Sequence, residues 1–406
     1  MSGVLLPLLL SGLCTAQPAP ASRPLAPPDE ERAFKDRVNV AVERGVAWLR
    51  GTQKDDGSWG DYVNSGGLHY RAGTTSIALL ALLASDVNKF DAAIEKGFRW
   101  LGENPARLTY EIGLAMMAHD LRAAPLYERF EVEKMDPAAR RAYRFPRELE
   151  SREREQMLAY VDQLEEHRFH GLWSYGRYPT GGDVSNAQYA LLGLKAAVRC
   201  GLKVDAEVWG DSLDYFLRVQ IPRGPSAKLP RFKGLDKDGR PEFYAVAAVP
   251  RGWCYGHGET NEAEVSLSTS CIGIASLILC REELLKPGPG AAGARARART
   301  AKVEEAIRDA LAWLDQHFSI GGRPPLPDYH YYYLYALERA GILTESRYIG
   351  THDWYREGAE FLVRAQRADG SWPGQGWSPE IPDTSFALLF LRRSTFPVVY
   401  TAGSGN

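Results

Sequence analysis

Six stretches of this chain are apolar on nearly every side of a helix: residues 76–83, 113–117, 187–197, 271–279, 331–340 and 385–391. A helix without a polar face is enclosed by other helices, so these six form an inner layer. Each follows a helix that ends near Trp48, Trp100, Tyr160, Phe216, Trp313 or Phe361 and keeps a charged face, as Glu304, Glu305, Arg308 and Asp309 do in the fifth. The alternation recurs at roughly fifty to sixty residues, the length of two helices and a loop. It predicts six outer–inner helix pairs.

Two segments near opposite ends of the chain repeat one turn. Gln53 leads to Gly57 and Trp59, and Gln366 leads to Gly370 and Trp372, with identical spacing. Glycine takes a turn conformation costly to other residues, glutamine caps backbone groups at a helix end, and tryptophan packs over the junction. These residues are therefore read as structural, and a third copy, Gln163 with Gly171 and Trp173, is stretched by insertion. Three stretches break the rhythm. Residues 120–155 are charge-rich, 221–250 hold the turn Asp236-Lys237-Asp238-Gly239 and a strand-like Phe243-Tyr244-Ala245-Val246, and 281–302 run through Pro-Gly and Ala-Arg repeats. The second predicts a short hairpin and the third a linker.

Composition changes the picture mainly by exclusion. With 45% hydrophobic residues in 406, the chain buries a large core, and a net charge of -2 from 49 basic and 51 acidic residues offers no field for nucleic acid. An apolar run from Val4 to Leu13 followed by Cys14-Thr15-Ala16 predicts a signal peptide over 1–16 and export to a periplasmic or extracellular space. A Pro- and Ala-rich lead-in is expected over 17–33, the helical domain over 34–396 and a tail over 397–406. No other stretch is apolar for the roughly 18 residues that a membrane span requires. The remaining cysteines, Cys200, Cys254, Cys271 and Cys280, read as buried apolar residues. No Gly-rich phosphate loop or nucleophile elbow is present, so no cofactor is expected.

At its Gln-x3-Gly-x-Trp segments the chain resembles squalene and oxidosqualene cyclases, whose α/α-toroid is shared with protein prenyltransferase β subunits. It also resembles bacterial secreted proteins carrying prenyltransferase and squalene oxidase repeats. The resemblance implies an all-α fold, an α6/α6 toroid over residues 34–395. For catalysis it implies an Asp-x-Asp-Asp acid; the nearest strings here are Asp183-Val184-Ser185-Asn186 and Glu380-Ile381-Pro382-Asp383, both incomplete. From prenyltransferases it implies zinc on Cys254 and His330, with His257 as a third ligand, but Gly252 stands where the aspartate is required.

In a ring of helix pairs the inner helices run the same way, so their N-termini meet at one mouth. The starts are polar, including Thr74-Thr75-Ser76, Asp183-Val184-Ser185-Asn186 and Asp383-Thr384-Ser385. Helix capping explains much of that. Candidate acids are Asp183 and Asp383; candidate ligand contacts are Asn186, Gln188, Tyr189, Trp173, Trp253, Tyr255, His257, His330, Tyr332 and Trp377. Five tyrosines at 329–335 cover more than one helix face, and such rings hold an apolar chain, an isoprenoid cation or a sugar. The leading expectation is a ligand or partner bound in the central cavity. The alternatives are a divergent isoprenoid cyclase, a polysaccharide-active toroid enzyme, and a scaffold whose centre is plugged by its own side chains.

Overall fold

Alternating charged-faced and fully apolar helices build a double ring. The computed structural model describes residues 28–63, 67, 69–126, 128–136, 139, 143, 147–176, 181–221, 225–255, 265–284, 290–321, 329–373 and 379–395. Within them lie α1 (Pro28–Gly51), α2 (Arg71–Ala84), α3 (Ala92–Glu103), α4 (Thr109–Ala123), α5 (Glu128–Lys134), α6 (Ser151–Glu166), α7 (Val184–Arg199) and α8 (Ala206–Val219). A hairpin of β1 (Ala227–Leu235) and β2 (Pro241–Ala248) follows. Then come α9 (Leu267–Leu284), α10 (Gly290–His317), α11 (His330–Leu343), α12 (Trp354–Ala365) and α13 (Glu380–Leu391).

The inner helices close on themselves. In order, α2 packs on α4, α4 on α7, α7 on α9, α9 on α11, α11 on α13, and α13 again on α2. Outside them α1, α3, α6, α8, α10 and α12 each pack on an inner helix, and α1 also touches α12, joining the first repeat to the last. The fold is the expected toroid of six helix pairs, with one continuous apolar core. Aspartates start several helices: Asp91, Asp183, Asp205 and Asp353 accept from the backbone N–H of Ala93, Asn186, Glu207 and Arg356.

The two matching segments do identical work one sixth of a turn apart. Gln53 Nε2 donates to Gly57 O (3.0 Å) and to Ala93 O of the next outer helix (2.8 Å). Gln366 Nε2 donates to Gly370 O (2.9 Å) and to Ala41 O of α1 (2.8 Å), so the last repeat caps the first helix. Gly57 and Gly370 lie at φ 94° and 97°, where a Cβ would stand 2.6 Å from Lys96 O and 2.5 Å from Arg44 O.

The insertions resolve individually. The hairpin expected in 221–250 is present, antiparallel from Ala227 opposite Ala248 to Leu235 opposite Pro241, and Phe232 and Phe243 pack on Tyr348. In 120–155 the buried Arg147 bonds Asp120 (2.7 Å) and both oxygens of Glu128 (2.7 and 2.8 Å), pinning α5 against α4. The linker expected over 281–302 is corrected: α9 runs to Leu284 and α10 begins at Gly290, because Ala and Arg are strong helix formers and the Pro-Gly run is confined to 287–290. Likewise α1 begins at Pro28, inside the expected lead-in; Asp29, Glu30 and Glu31 suit a helix N-terminus, and Arg356 bonds Glu31 at 2.8 Å. No helix among the described residues is long and apolar enough to cross a membrane.

Candidate functional site

Loops that enter four of the six inner helices deliver tyrosine to one place. Tyr62 and Tyr70 come from the segment before α2, Tyr175 from that before α7, Tyr255 from that before α9, and Tyr329 from the residue before α11. The rings of Tyr62 and Tyr70 stack at 5.4 Å, the Tyr62 hydroxyl bonds that of Tyr329, and the Tyr175 hydroxyl bonds that of Tyr255. Tyr175 in turn feels Tyr70 and Tyr329, so the five converge on one mouth of the ring. Burial, with the charge of Asp183 second, raises Tyr175 and Tyr255 far above the ordinary phenol value. Their hydroxyls are therefore neutral donors and acceptors. Tyr175, Tyr255 and Tyr329 keep 37%, 44% and 43% of their surface in solvent, a grip that is open rather than enclosed.

Below this rim the centre is filled. Tyr110 of α4 meets Tyr189 of α7 at 4.3 Å between ring centroids, and Tyr189 stacks on Tyr332 of α11 at 6.2 Å. Tyr332 Oη bonds Ser185 Oγ (2.6 Å), and its ring meets Phe386 of α13. Because α9 stands between α7 and α11 in the ring, these contacts cross the axis. One turn further, Arg339 lies over Tyr335 (3.8 Å) and Tyr189 (5.4 Å) and donates to Gln188 Oε1 (2.8 Å). Two cavities lie away from the rim. One of about 390 Å³ sits on the flank beside Phe361, and one of about 50 Å³ at the opposite end is lined by Asp120, Arg199 and Tyr335.

The predicted site residues divide accordingly. Asp183 caps α7, its Oδ1 accepting from Asn186 N and its Oδ2 from Asn186 Nδ2, both at 2.8 Å. Both bonds come from Asn186, whose own Oδ1 is buried without a partner. Asp383 is buried in the first turn of α13, diametrically across the ring from α7, and acts on Tyr62 and Tyr331. Gln188, Tyr189 and Tyr332 belong to the plug. Trp173 and Trp253 are fully buried: Trp173 Nε1 donates to Leu164 O (2.6 Å) and Trp253 Nε1 to Phe216 O (2.9 Å), as Trp59 does to Leu49 and Trp372 to Leu362. They offer a ligand no surface. The hydroxyls at the helix starts serve the same junctions, Thr75, Ser270 and Thr384 accepting from the backbone N–H of Trp59, Trp253 and Trp372.

His330 faces outward. Its ring packs on Phe361 of α12 and bonds the backbone of Ile320, and burial pushes its pKa down to about 4. Cys254 is buried beside Trp253, and among the described residues no three His, Cys, Asp or Glu side chains gather as metal ligands do. His257 and Trp377 lie outside the described residues. Sequence reasoning missed Tyr62, Tyr70 and Arg339. The available signal was a tyrosine two or three positions after a repeat tryptophan, as in Trp173-Ser174-Tyr175, Trp253-Cys254-Tyr255 and Trp59-Gly60-Asp61-Tyr62.

No protein-family model matches the chain. Over 75 residues it is 36% identical to squalene–hopene cyclase of Zymomonas mobilis, a stretch that is 16% of this chain and 11% of that enzyme. An inactive variant of the alpha-1,6-mannanase GH76A of Salegentibacter sp. HEL1_6, in complex with alpha-1,6-mannotriose, superposes with a TM-score of 0.50 at 9% identity, covering 88% of this chain and 99% of that one. A type II terpene cyclase from Scytonema, in complex with merosterolic acid A, gives a TM-score of 0.35 at 13% identity, covering 89% and 98%. The mannanase likeness agrees with the helix packing: the fold is an α/α toroid.

Proposed function

We propose that the protein binds a hydroxyl-rich, carbohydrate-class ligand on its tyrosine-ringed mouth. The observation that carries this reading is the filled centre. A site that folds an isoprenoid chain encloses it in a deep apolar cavity. Here Tyr110, Tyr189, Tyr332, Phe386 and Arg339 occupy the axis, leaving a shallow rim of half-exposed rings and neutral hydroxyls. Flat rings with polar tips suit the faces and hydroxyls of sugars. Asp183 and Asp383 stand on opposite sides of the ring, and Asp183 is engaged as the cap of α7. The mannanase of the same fold holds a mannotriose, and the apolar run at residues 4–13 fits an exported protein that meets glycans.

Titration calorimetry against a panel of oligosaccharides tests the reading, with geranylgeraniol in detergent as the apolar competitor. Truncating a central aromatic anchor costs about 2 kcal/mol or more, so Tyr255→Ala and Tyr175→Ala should each weaken a bound glycan at least roughly tenfold. Binding of the isoprenoid alcohol alone, or glycan binding indifferent to both substitutions, would refute it.

A further inference from the structure

The larger of the two cavities belongs neither to the rim nor to the plug. Its space of about 390 Å³ lies between Ile320 and Gly321, which follow α10, and α12, which supplies Glu357, Glu360, Phe361 and Arg364. That volume suits a small organic ligand. Gly321 leaves the Phe361 ring uncovered, since a Cβ there would stand 3.2 Å from Phe361 Cδ2. His330 meets the same ring edge to face at 5.2 Å, and burial that pushes its pKa down to about 4 keeps it neutral at pH 7. It sets no positive charge against the aromatic wall. The two carboxylates, one turn apart, are unequally matched. Glu360 Oε1 meets Arg356 Nε at 3.3 Å, and its Oε2 meets Arg364 Nη1 at 4.0 Å. Because the Arg364 side chain is 71% exposed, that loose contact is readily given up. Among the described residues the only ion-pair partner of Glu357 is the His352 ring, whose Nδ1 lies 3.4 Å away, and Asp353 adds negative charge beside it. A bare aromatic ring next to two under-matched carboxylates attracts a cation with an apolar stem.

We infer that this flank cavity binds a small organic amine, its protonated amino group held by Glu357 and Glu360 and its carbon stem laid against Phe361 and Ile320. An ammonium presents three N–H donors, enough to serve both carboxylates at once. Arg364 is then a rival for Glu360 and not a ligand group, so the charges around the cavity have opposite effects on binding. An open-chain polyamine and an amino sugar both carry the required group. This site is separate from the tyrosine rim, and either holds if the other fails.

Titration calorimetry of the full chain with spermidine and with glucosamine tests it, with N-acetylglucosamine as the uncharged counterpart. Spermidine binding alone identifies an open-chain amine; glucosamine binding as well extends the site to amino sugars. Glu357→Gln, which removes a half-exposed charge and keeps the shape, should weaken the bound amine roughly fivefold at low ionic strength. Arg364→Gln removes the rival and should tighten it roughly twofold. Tyr255→Ala, at the rim, should leave amine binding unchanged. No binding of either amine, equal affinity in Glu357→Gln, no gain in Arg364→Gln, weaker binding in Tyr255→Ala, or displacement of the amine by N-acetylglucosamine would overturn the inference.

Discussion

Replacing Gly370 by alanine asks whether the last repeat is locked onto the first. At φ 97° an alanine sits in backbone space nearly reserved for glycine, and its Cβ would stand 2.5 Å from Arg44 O and 2.9 Å from Arg44 C on α1. The conformational strain costs about 1 to 3 kcal/mol. Relieving the overlap against backbone, which cannot rotate aside, costs about another 1 to 3 kcal/mol. Displacing α1 also disturbs the bonds from Gln366 to Ala41 O and from Arg44 to the carbonyls of Arg367 and Ala368. A loss of about 2 to 6 kcal/mol corresponds to a midpoint lower by roughly 3 to 7 °C for a chain of this length. Gly102 in α3 is the control. A Cβ there meets nothing, so Gly102→Ala should raise the midpoint slightly, by the helix propensity of about 0.5 to 1 kcal/mol. Scanning calorimetry and urea titration of both variants decide the matter. If Gly370→Ala melted with the wild type or above Gly102→Ala, the glycine would not be holding the ring shut.

Two other perturbations probe buried charge. Arg147→Met strips the buried Glu128 of its cation, while Asp120 keeps Arg199, and should cost about 3 to 5 kcal/mol and loosen α5 to limited proteolysis. An unchanged urea midpoint and digestion pattern would show that the clamp is dispensable. Burial raises Glu282 to about 7 against an ordinary 4.5, with Lys195 opposing. A raised carboxyl holds its proton in the folded state, so its contribution is complete below its unfolded pKa and is lost as pH climbs through about 7. The stability of wild type relative to Glu282→Gln should therefore fall between about pH 5 and pH 8, and a difference flat across that window contradicts the assignment.

Much of the ring was legible because its inner helices are apolar all round, a signal that survives without exact motif spacing. The Gln-Gly-Trp turns were legible only where intact. In the fourth pair Gln220 Nε2 bridges to Ala306 O of α10 (2.8 Å) as Gln53 does to Ala93, yet its tryptophan is Trp253, with the whole β-hairpin between them. That separation hid the junction and left Trp253 looking like a cavity aromatic. Trp173 was misread for the same reason. Gln188 and Tyr332 were singled out for polarity one turn inside the helix starts, but sequence gives no distance across the axis, and they meet Arg339 and Ser185 there. The rim tyrosines lie in loops whose convergence only the closed ring creates.

Pressurising crystals with xenon tests the filled centre most directly, since xenon occupies enclosed apolar space wherever it exists. The account predicts no xenon on the toroid axis between Tyr189 and Tyr332. A strong xenon site there would reveal a hollow deep enough for an apolar chain, and the rim would lose its claim as the place of recognition.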